Sequence, residues 1–499
     1  MKLADFGTLY SKQLENLEKL AGEKTLWHEE AKYVQTRAGR NYADVDEFLQ
    51  LLHEMQRMSK IQVAGLGNDE AFRVTAMKAR VDKQTPFWKE FGSPPVDLEL
   101  QRSLAEKLYN IRPGKNDVGS ISVGEGAREI GKMLAKKCLA EKVPFIVNFS
   151  DASFNALVLN HTTEEGVKRL AAAYVEMYKP VTRDMSARPG MPEVEDIRPD
   201  VPKIQLYSRE VKPFSDRISS GDLFYTLTVV PTRKDAELDG IEYNEYLKLF
   251  FEACDQPWGE INKAQKNLIE EFNAASTLHI TNSDGTDITM SLVDKDGSKF
   301  TFCNSLTLKN VPGSEMFSAP RLDSVEGVVV AKGSFMTKDN RIVENLTLKF
   351  EKGRLVDYTA GKGLDAFKDA IGVDEGANWV GELGIGTNPH LKRHVVNGLL
   401  VEKIGGSFHL ALGRPYAYTE YGDEPVKVNN GGTSALHWDI TTMLRGKEGR
   451  IYLDDRLVMD NGKWLDNKYD VLNRGWESIP EEKRPDYWKG YYKPKPPSM

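Results

Sequence analysis

The chain has 499 residues, 40% of them hydrophobic and 28% charged, with a net charge of −7. This is ordinary for a globular protein of two or three domains and leaves enough apolar residues for sizeable cores. No basic block points to nucleic acid, no acidic tail to a charged partner, and no apolar run approaches the roughly 18 residues of a membrane-crossing helix.

The opening stretch, MKLADFGTLYSKQLENLEKL, lacks an apolar signal core and sets Leu14, Leu17 and Leu20 on one helical stripe, so a cytoplasmic location is expected. Residues 46–55 form a second amphipathic helix, with His53 in a packing or surface role. Residues 143–149, VPFIVNF, read as a short buried strand. TTEE at 162–165 reads as a capping box, and Val167, Leu170, Ala171, Tyr174 and Val175 follow at helical spacing. A strand followed by a capped helix predicts an α/β layer in the first half. Residues 181–220 are rich in proline and charge with little periodicity and read as a long connection or a domain edge. The apolar run 223–230 precedes a boundary near Pro231, and 241–272 is helical again.

Beyond that the chain turns to strands and turns. Residues 278–293 are two alternating runs around Ser283-Asp284-Gly285, a hairpin signal; 324–330 and 345–350 are strand-like, a tight turn falls at Gly353, and 451–462 closes with hairpins. The predicted fold is therefore α/β in the α+β sense. An N-terminal α/β domain with a helical extension covers 1–230. A mixed domain with mostly antiparallel strands covers 231–465. A C-terminal extension covers 466–499 and is rich in Lys, Pro, Tyr and Trp; within it, residues 487–497 are expected to be extended and to lay their rings on a neighbouring surface.

The three cysteines, Cys138, Cys254 and Cys303, lie far apart and fit neither a disulfide framework nor a CxxC zinc site; buried thiols are the plain reading. A metal would thus be held mainly by histidine and carboxylate. In SALHWDI, His437 and Asp439 are two apart, so a strand points both the same way, with Trp438 opposite. In EKIGGSFHLALG, His409 shares a strand face with Ala411 and Gly413, small neighbours that leave room for a ligand. Glu315 follows a Pro-Gly turn, and Glu382 stands among glycines in a run with no other charge and no Lys-Ser/Thr of a phosphate loop. Each has an ordinary reading when taken singly: a hydrogen-bonded core histidine, a turn glutamate, a His-x-Asp without metal. His28, His53, His161, His279, His390 and His394 keep such readings, the last two in a solvated loop after Asn-Pro. Arg354 and Arg414 are candidates for orienting carboxylates, with surface ion pairs as the plainer reading.

Taken in order, NVPGSEMFSAP, VGE, EKIGGSFHLALGRPY and HWD resemble the aminopeptidase T / aminopeptidase S (aminopeptidase II) family of metalloaminopeptidases, over roughly residues 225–465. The resemblance implies a co-catalytic pair of divalent ions, zinc, cobalt or manganese, held by Glu315, Glu382, His409, His437 and Asp439. It implies a catalytic role for Tyr416, and makes Glu402 the nearest match to a further family glutamate. It implies peptide substrates with a free N-terminus, and a homodimer whose N-terminal domains wall off the active site. Departures are Ser314, where an acid often precedes the first glutamate, and Ile440-Thr-Thr after Asp439; the N-terminal part is also longer, and the last residues are an extension.

Chemically, five such ligands exceed the three of a single catalytic zinc and suit two ions about 3.5–4 Å apart that share a carboxylate and activate water. A free α-amine that ligates such a pair would confine cleavage to the N-terminus. Asp439 or Glu315 is the expected bridge, Glu402 or Glu382 the general base, and Tyr416 the hydroxyl donor to the oxyanion. Two rivals use the same ligands. A phosphoesterase would want Arg or Lys beside the metals, in which these segments are poor; a non-catalytic metal or peptide binder would have lost the base or Tyr416.

Overall fold

The computed structural model describes residues 98–491, apart from 113, 125, 151, 192–199, 307–308, 340, 422–423 and 490, together with scattered positions between Leu49 and Asp69. The stripe of Leu14, Leu17 and Leu20, His28, most of 46–55 and the last eight residues lie outside the described residues. The chain divides into two compact units, Met1–Lys234 and Asp235–Met499.

The first unit is built on four parallel strands, β1 (Gly119–Gly124), β2 (Phe145–Ser150), β3 (Arg183–Pro189) and β4 (Phe224–Val230), in the order β2-β1-β3-β4. Parallel neighbours need long crossovers, and the helices Arg128–Ala140 and Glu164–Tyr178 are among the elements that supply them. The second of these is capped by Thr163, whose side chain accepts from Gly166 N at 3.1 Å; Thr162 instead donates to Ala64 O at 2.6 Å. His53 is buried in a helix with its ring edge-on to Phe149 at 5.0 Å.

Residues 181–220 are not a connection: they hold β3 and the helices Val201–Glu210 and Lys212–Ser219. Two of the three charges that hid the strand, Arg183 and Asp184, are buried and paired; Arg188 is exposed. Arg183 Nε donates to Asp117 Oδ2 at 3.2 Å, and Asp184 accepts from Ser186 Oγ at 2.8 Å and from Ser120.

In the second unit the predicted helix is two, Tyr243–Cys254 and Trp258–Ala274. All named strands here pair antiparallel. One sheet has eight strands in the order β11-β10-β9-β6-β5-β17-β18-β19. These are β5 (Thr277–Thr281), β6 (Asp287–Ser291), β9 (Glu326–Met336), β10 (Ile342–Glu351), β11 (Arg354–Lys362), β17 (Arg450–Leu453), β18 (Arg456–Asp460) and β19 (Lys463–Trp464). The other has the order β16-β13-β12-β8-β7: β7 (Cys303–Ser305), β8 (Glu315–Ser318), β12 (Val380–Gly386), β13 (Ser407–Gly413) and β16 (His437–Met443). A two-stranded pair, β14 (Glu420–Tyr421) with β15 (Glu424–Pro425), lies beside them in sequence. One continuous apolar core joins the Trp258–Ala274 helix to both larger sheets. The β5–β6 turn is tied by Asn282 Oδ1, which accepts from Asp284 N and Thr286 N, with Gly285 at φ +105°.

Between residues 467 and 488 the C-terminal segment is a series of short helical turns, the last of them Asp486–Trp488; most of 487–497 lies outside the described residues. Its rings close on the junction between the helices Tyr243–Cys254 and Trp258–Ala274. Trp488 Nε1 donates to Asp255 Oδ2 at 2.8 Å, Trp476 Nε1 to Asp255 O at 2.7 Å, and Tyr491 OH to Glu252 Oε2 at 2.9 Å. His390 and His394 are packed rather than solvated. The first meets Glu252 Oε2 at 3.0 Å; the second packs edge-on to Phe335 at 5.0 Å, where burial lowers its pKa to about 4.

Candidate metal centre

Four strands of the five-stranded sheet deliver the site. Alternation sends Phe408, Leu410 and Leu412 of β13, Leu383 and Ile385 of β12, Met316 of β8, and Trp438 and Ile440 of β16 into the apolar core. The opposite face therefore carries Glu315, Glu382, His409, His437 and Asp439. Register completes the convergence: Ala411 pairs with Glu382 on one side and Asp439 on the other, and Gly384 pairs with His409. The small side chain of Ala411 leaves the space between the two carboxylates open.

His409 Nε2 lies 3.6 Å from Glu382 Oε1, 3.7 Å from Glu315 Oε2 and 3.9 Å from Asp439 Oδ1. His437 Nε2 lies 3.1 Å from Glu382 Oε2 and 3.7 Å from Asp439 Oδ2. Ligating atoms of Glu382, His409 and Asp439 all fall within 4.8 Å of one another. Separations of 3.6–3.9 Å are too long for hydrogen bonds. Glu315 Oε2, Glu382 Oε2 and both His409 nitrogens are buried with no hydrogen-bond partner. Buried polar atoms are almost always paired. Here, except for His437 Nε2 and Glu382 Oε2 at 3.1 Å, donor-type and acceptor-type atoms surround one space and stop short of each other, which is what a set of imidazole and carboxylate ligands around a divalent cation looks like. The residues fit a metal.

The electrostatics agree. Burial works against charge on His409, but Glu382, Asp439 and Glu315 outweigh it and hold the imidazole up to about 9. Burial likewise opposes charge on His437, yet Asp439 and Glu382 raise it to about 10. Asp439 is pushed up to about 7 by burial and by the charge of Glu402, against the pull of His437. Glu382 is disfavoured by burial but drawn down to about 2 by the two imidazoles. Negative charge is crowded enough to hold protons on two histidines, and a cation relieves the same crowding.

Outer contacts orient the set. His437 Nδ1–H donates to the backbone carbonyl of Arg414 at 2.8 Å, which turns Nε2 toward the carboxylates; the Arg414 guanidinium is exposed and takes no part. Ser314, at φ +89°, holds the turn before Glu315: its hydroxyl is 2.9 Å from Thr387 Oγ1, which in turn accepts from Gln265 Nε2 at 2.7 Å. Tyr416 packs over His437 with ring centroids 5.2 Å apart and against Phe317 at 5.0 Å. Burial and the neighbouring carboxylates raise its pKa well above the usual value, so it stays a hydroxyl donor. Glu402 joins the cluster through Lys403, whose ammonium donates to Glu402 Oε2 at 2.6 Å and to Glu315 Oε1 at 2.5 Å. Lys403 and Gln265 carry no local sequence signal of these roles. Lysine beside glutamate in a glycine-bearing turn looks solvated, and Gln265 sits in a helix far away in the chain.

The profile for the family described as thermophilic metalloprotease (M29) matches residues 105–464. Aminopeptidase AmpS of Bacillus subtilis is 30% identical over 232 residues, 43% of this chain and 54% of AmpS. Aminopeptidase T of Thermus thermophilus is 25% identical over 408 residues, 74% of this chain and 98% of that protein. The chain thus spans about half of the first relative and nearly all of the second. The solved structure of wild-type AmpT from Thermus thermophilus shares the fold, with a TM-score of 0.55 at 21% identity, covering 74% of this chain and all of that one.

Proposed function

The chain belongs to the thermophilic metalloprotease (M29) family, and from that membership we propose that it is a metal-dependent aminopeptidase that removes N-terminal residues from peptides with water activated by two divalent ions. The carrying observation is the convergence of Glu315, Glu382, His409, His437 and Asp439 around buried, unpaired ligand atoms, all within the stretch shared with the family.

Ions held there, zinc, cobalt or manganese, supply a water nucleophile at neutral pH and polarise the attacked carbonyl. The protein groups divide the remaining work. Asp439 would be the better carboxylate to share between two ions, because its Oδ1 faces His409 and its Oδ2 faces His437, whereas Glu315 has one oxygen on Lys403. Glu382 splits its oxygens between the same imidazoles, which leaves Glu402, partly exposed and with one oxygen on Lys403, as general base. It takes the proton of the attacking water and returns it to the leaving amine. Tyr416 donates its hydroxyl to the developing oxyanion.

This reading includes peptide substrates with a free N-terminus, a homodimer and a cytoplasmic location. Three buried free thiols, Cys138, Cys254 and Cys303, suit a reducing compartment, and among the described residues no helix is long and apolar enough to cross a membrane. The test is a panel of free-amine and N-acetylated peptides given to chelator-treated protein with zinc, cobalt or manganese restored. Release of N-terminal residues only from free amines and only with metal is expected. Activity that resists chelation, or equal cleavage of acetylated peptides, would overturn the reading.

A further inference from the structure

The ligand set contains a cation of its own. Lys403 is fully buried, and its backbone is fixed on both sides: its N–H donates to Leu400 O at 3.0 Å, and its carbonyl accepts from Asn388 N at 2.8 Å. Strand β12 passes so close beneath this turn that a Cβ on Gly386 would lie 2.2 Å from Ile404 O. The ammonium is buried at acceptable cost because it is paired twice, with Glu315 and Glu402. The two oxygens of Glu315 are thereby divided. Oε1 belongs to Lys403, while Oε2 has no hydrogen-bond partner and faces His409. Glu382 is placed differently: both its oxygens face imidazoles.

We propose that Lys403 is an internal counter-cation that competes for Glu315 and makes the two ions unequal: one held tightly by Glu382, His409, His437 and Asp439, the other, drawing on Glu315, weak and exchangeable. The inference rests on the two-ion reading above. Two effects act in the same direction. The ammonium withdraws one oxygen of Glu315, so that this carboxylate can offer an ion only the other. Its charge also repels a divalent cation in a poorly screened interior. In the metal-free protein the same ammonium keeps buried Glu315 and partly exposed Glu402 from facing each other as unpaired charges. Lys403 is thus a positioning residue that lets the site fold without its full complement of metal, and catalytic competence depends on the free metal concentration.

The experiment counts ions. Full-length protein purified with manganese is desalted, and the metal retained per chain is measured by mass spectrometry for wild type and Lys403→Met, which keeps an unbranched chain one atom shorter and removes the charge. About one ion in wild type and about two in the variant are expected. Titration of chelator-stripped wild type should show two steps differing in affinity by roughly 10-fold or more, the scale on which outer contacts tune metal sites. The wild-type titration stands on its own if the variant does not fold. Two equal steps in wild type, two retained ions in both proteins, or weaker retention in K403M would overturn the proposal, the last by making Lys403 a support rather than a competitor. No binding by either protein would overturn the metal reading itself.

Discussion

Gly384 lies opposite His409 in the β12–β13 register, and a Cβ on Gly384 would stand 2.0 Å from Nε2 of that imidazole. The glycine makes room for the ligand rather than for a turn. Gly384→Ala should therefore push His409 off the site while leaving the strands paired, at a stability cost of about 1–3 kcal/mol, as for other overpacked positions. Retained metal should fall, and peptidase activity should drop by at least ~100-fold, with the far-ultraviolet circular dichroism unchanged. Full metal content and activity in G384A would show that His409 does not need its observed position.

Metal uptake should release protons. His409 and His437 are held at about 9 and about 10 in the metal-free ligand set, so at pH 7 both are protonated and must lose their protons to bind a cation. Both values are raised above the usual 6.5. Their charge pairs therefore support the metal-free fold fully below pH 6.5 and are lost as pH rises through 9–10. Metal affinity changes in the opposite sense, rising with pH over the same window. Calorimetry at pH 7 in buffers of different ionisation enthalpy should give apparent binding enthalpies that scale with the buffer. An enthalpy independent of buffer would contradict protonated imidazoles.

Much of this site could be read from sequence, because period-two alternation alone puts His437 with Asp439 and sets His409 opposite Phe408 and Leu410. Two kinds of information could not. Pairing across strands brings Glu382 beside Asp439 by way of Ala411, and no local spacing encodes that. Burial of charge is also invisible locally. Lys403 and the β3 pair Arg183–Asp117 look like surface residues until the partner arrives from elsewhere in the chain. The same blindness turned β3 into an apparent connection and His390, paired with Glu252, into a solvated loop residue. Capping was legible to within one residue, since Thr163 rather than Thr162 closes the helix.

Tyr416 offers a separation of chemistry from metal binding. It packs against His437 and is kept protonated by burial and nearby carboxylates, but as a neutral phenol it adds nothing to the charge that holds an ion. Tyr416→Phe keeps the ring and removes the donor. Metal content should be unchanged, while kcat falls by about 10²–10³, the loss expected for one oxyanion donor. An unchanged kcat would reduce Tyr416 to a packing residue of the aromatic group with Phe317 and Tyr418.

Acid should loosen the end of the second unit before its centre. Glu271, on the Trp258–Ala274 helix, accepts from Lys468 Nζ at 2.8 Å, Tyr469 OH at 2.6 Å and Arg456 Nη2 at 2.7 Å. Burial alone would raise its pKa, but these three donors bring the carboxyl down to about 2. A depressed folded-state pKa supplies stability above the ordinary value near 4.5 and loses it as pH falls toward 2. The partners are partly exposed and screened, so Glu271→Gln should cost only about 1 kcal/mol at neutral pH. Its midpoint of thermal unfolding should then approach that of wild type as the pH is lowered below 4.5, because protonation makes the two side chains equivalent donors and acceptors. A constant difference in midpoint from pH 7 to pH 3 would mean that the Glu271 charge is not what ties the C-terminal turns to the helix.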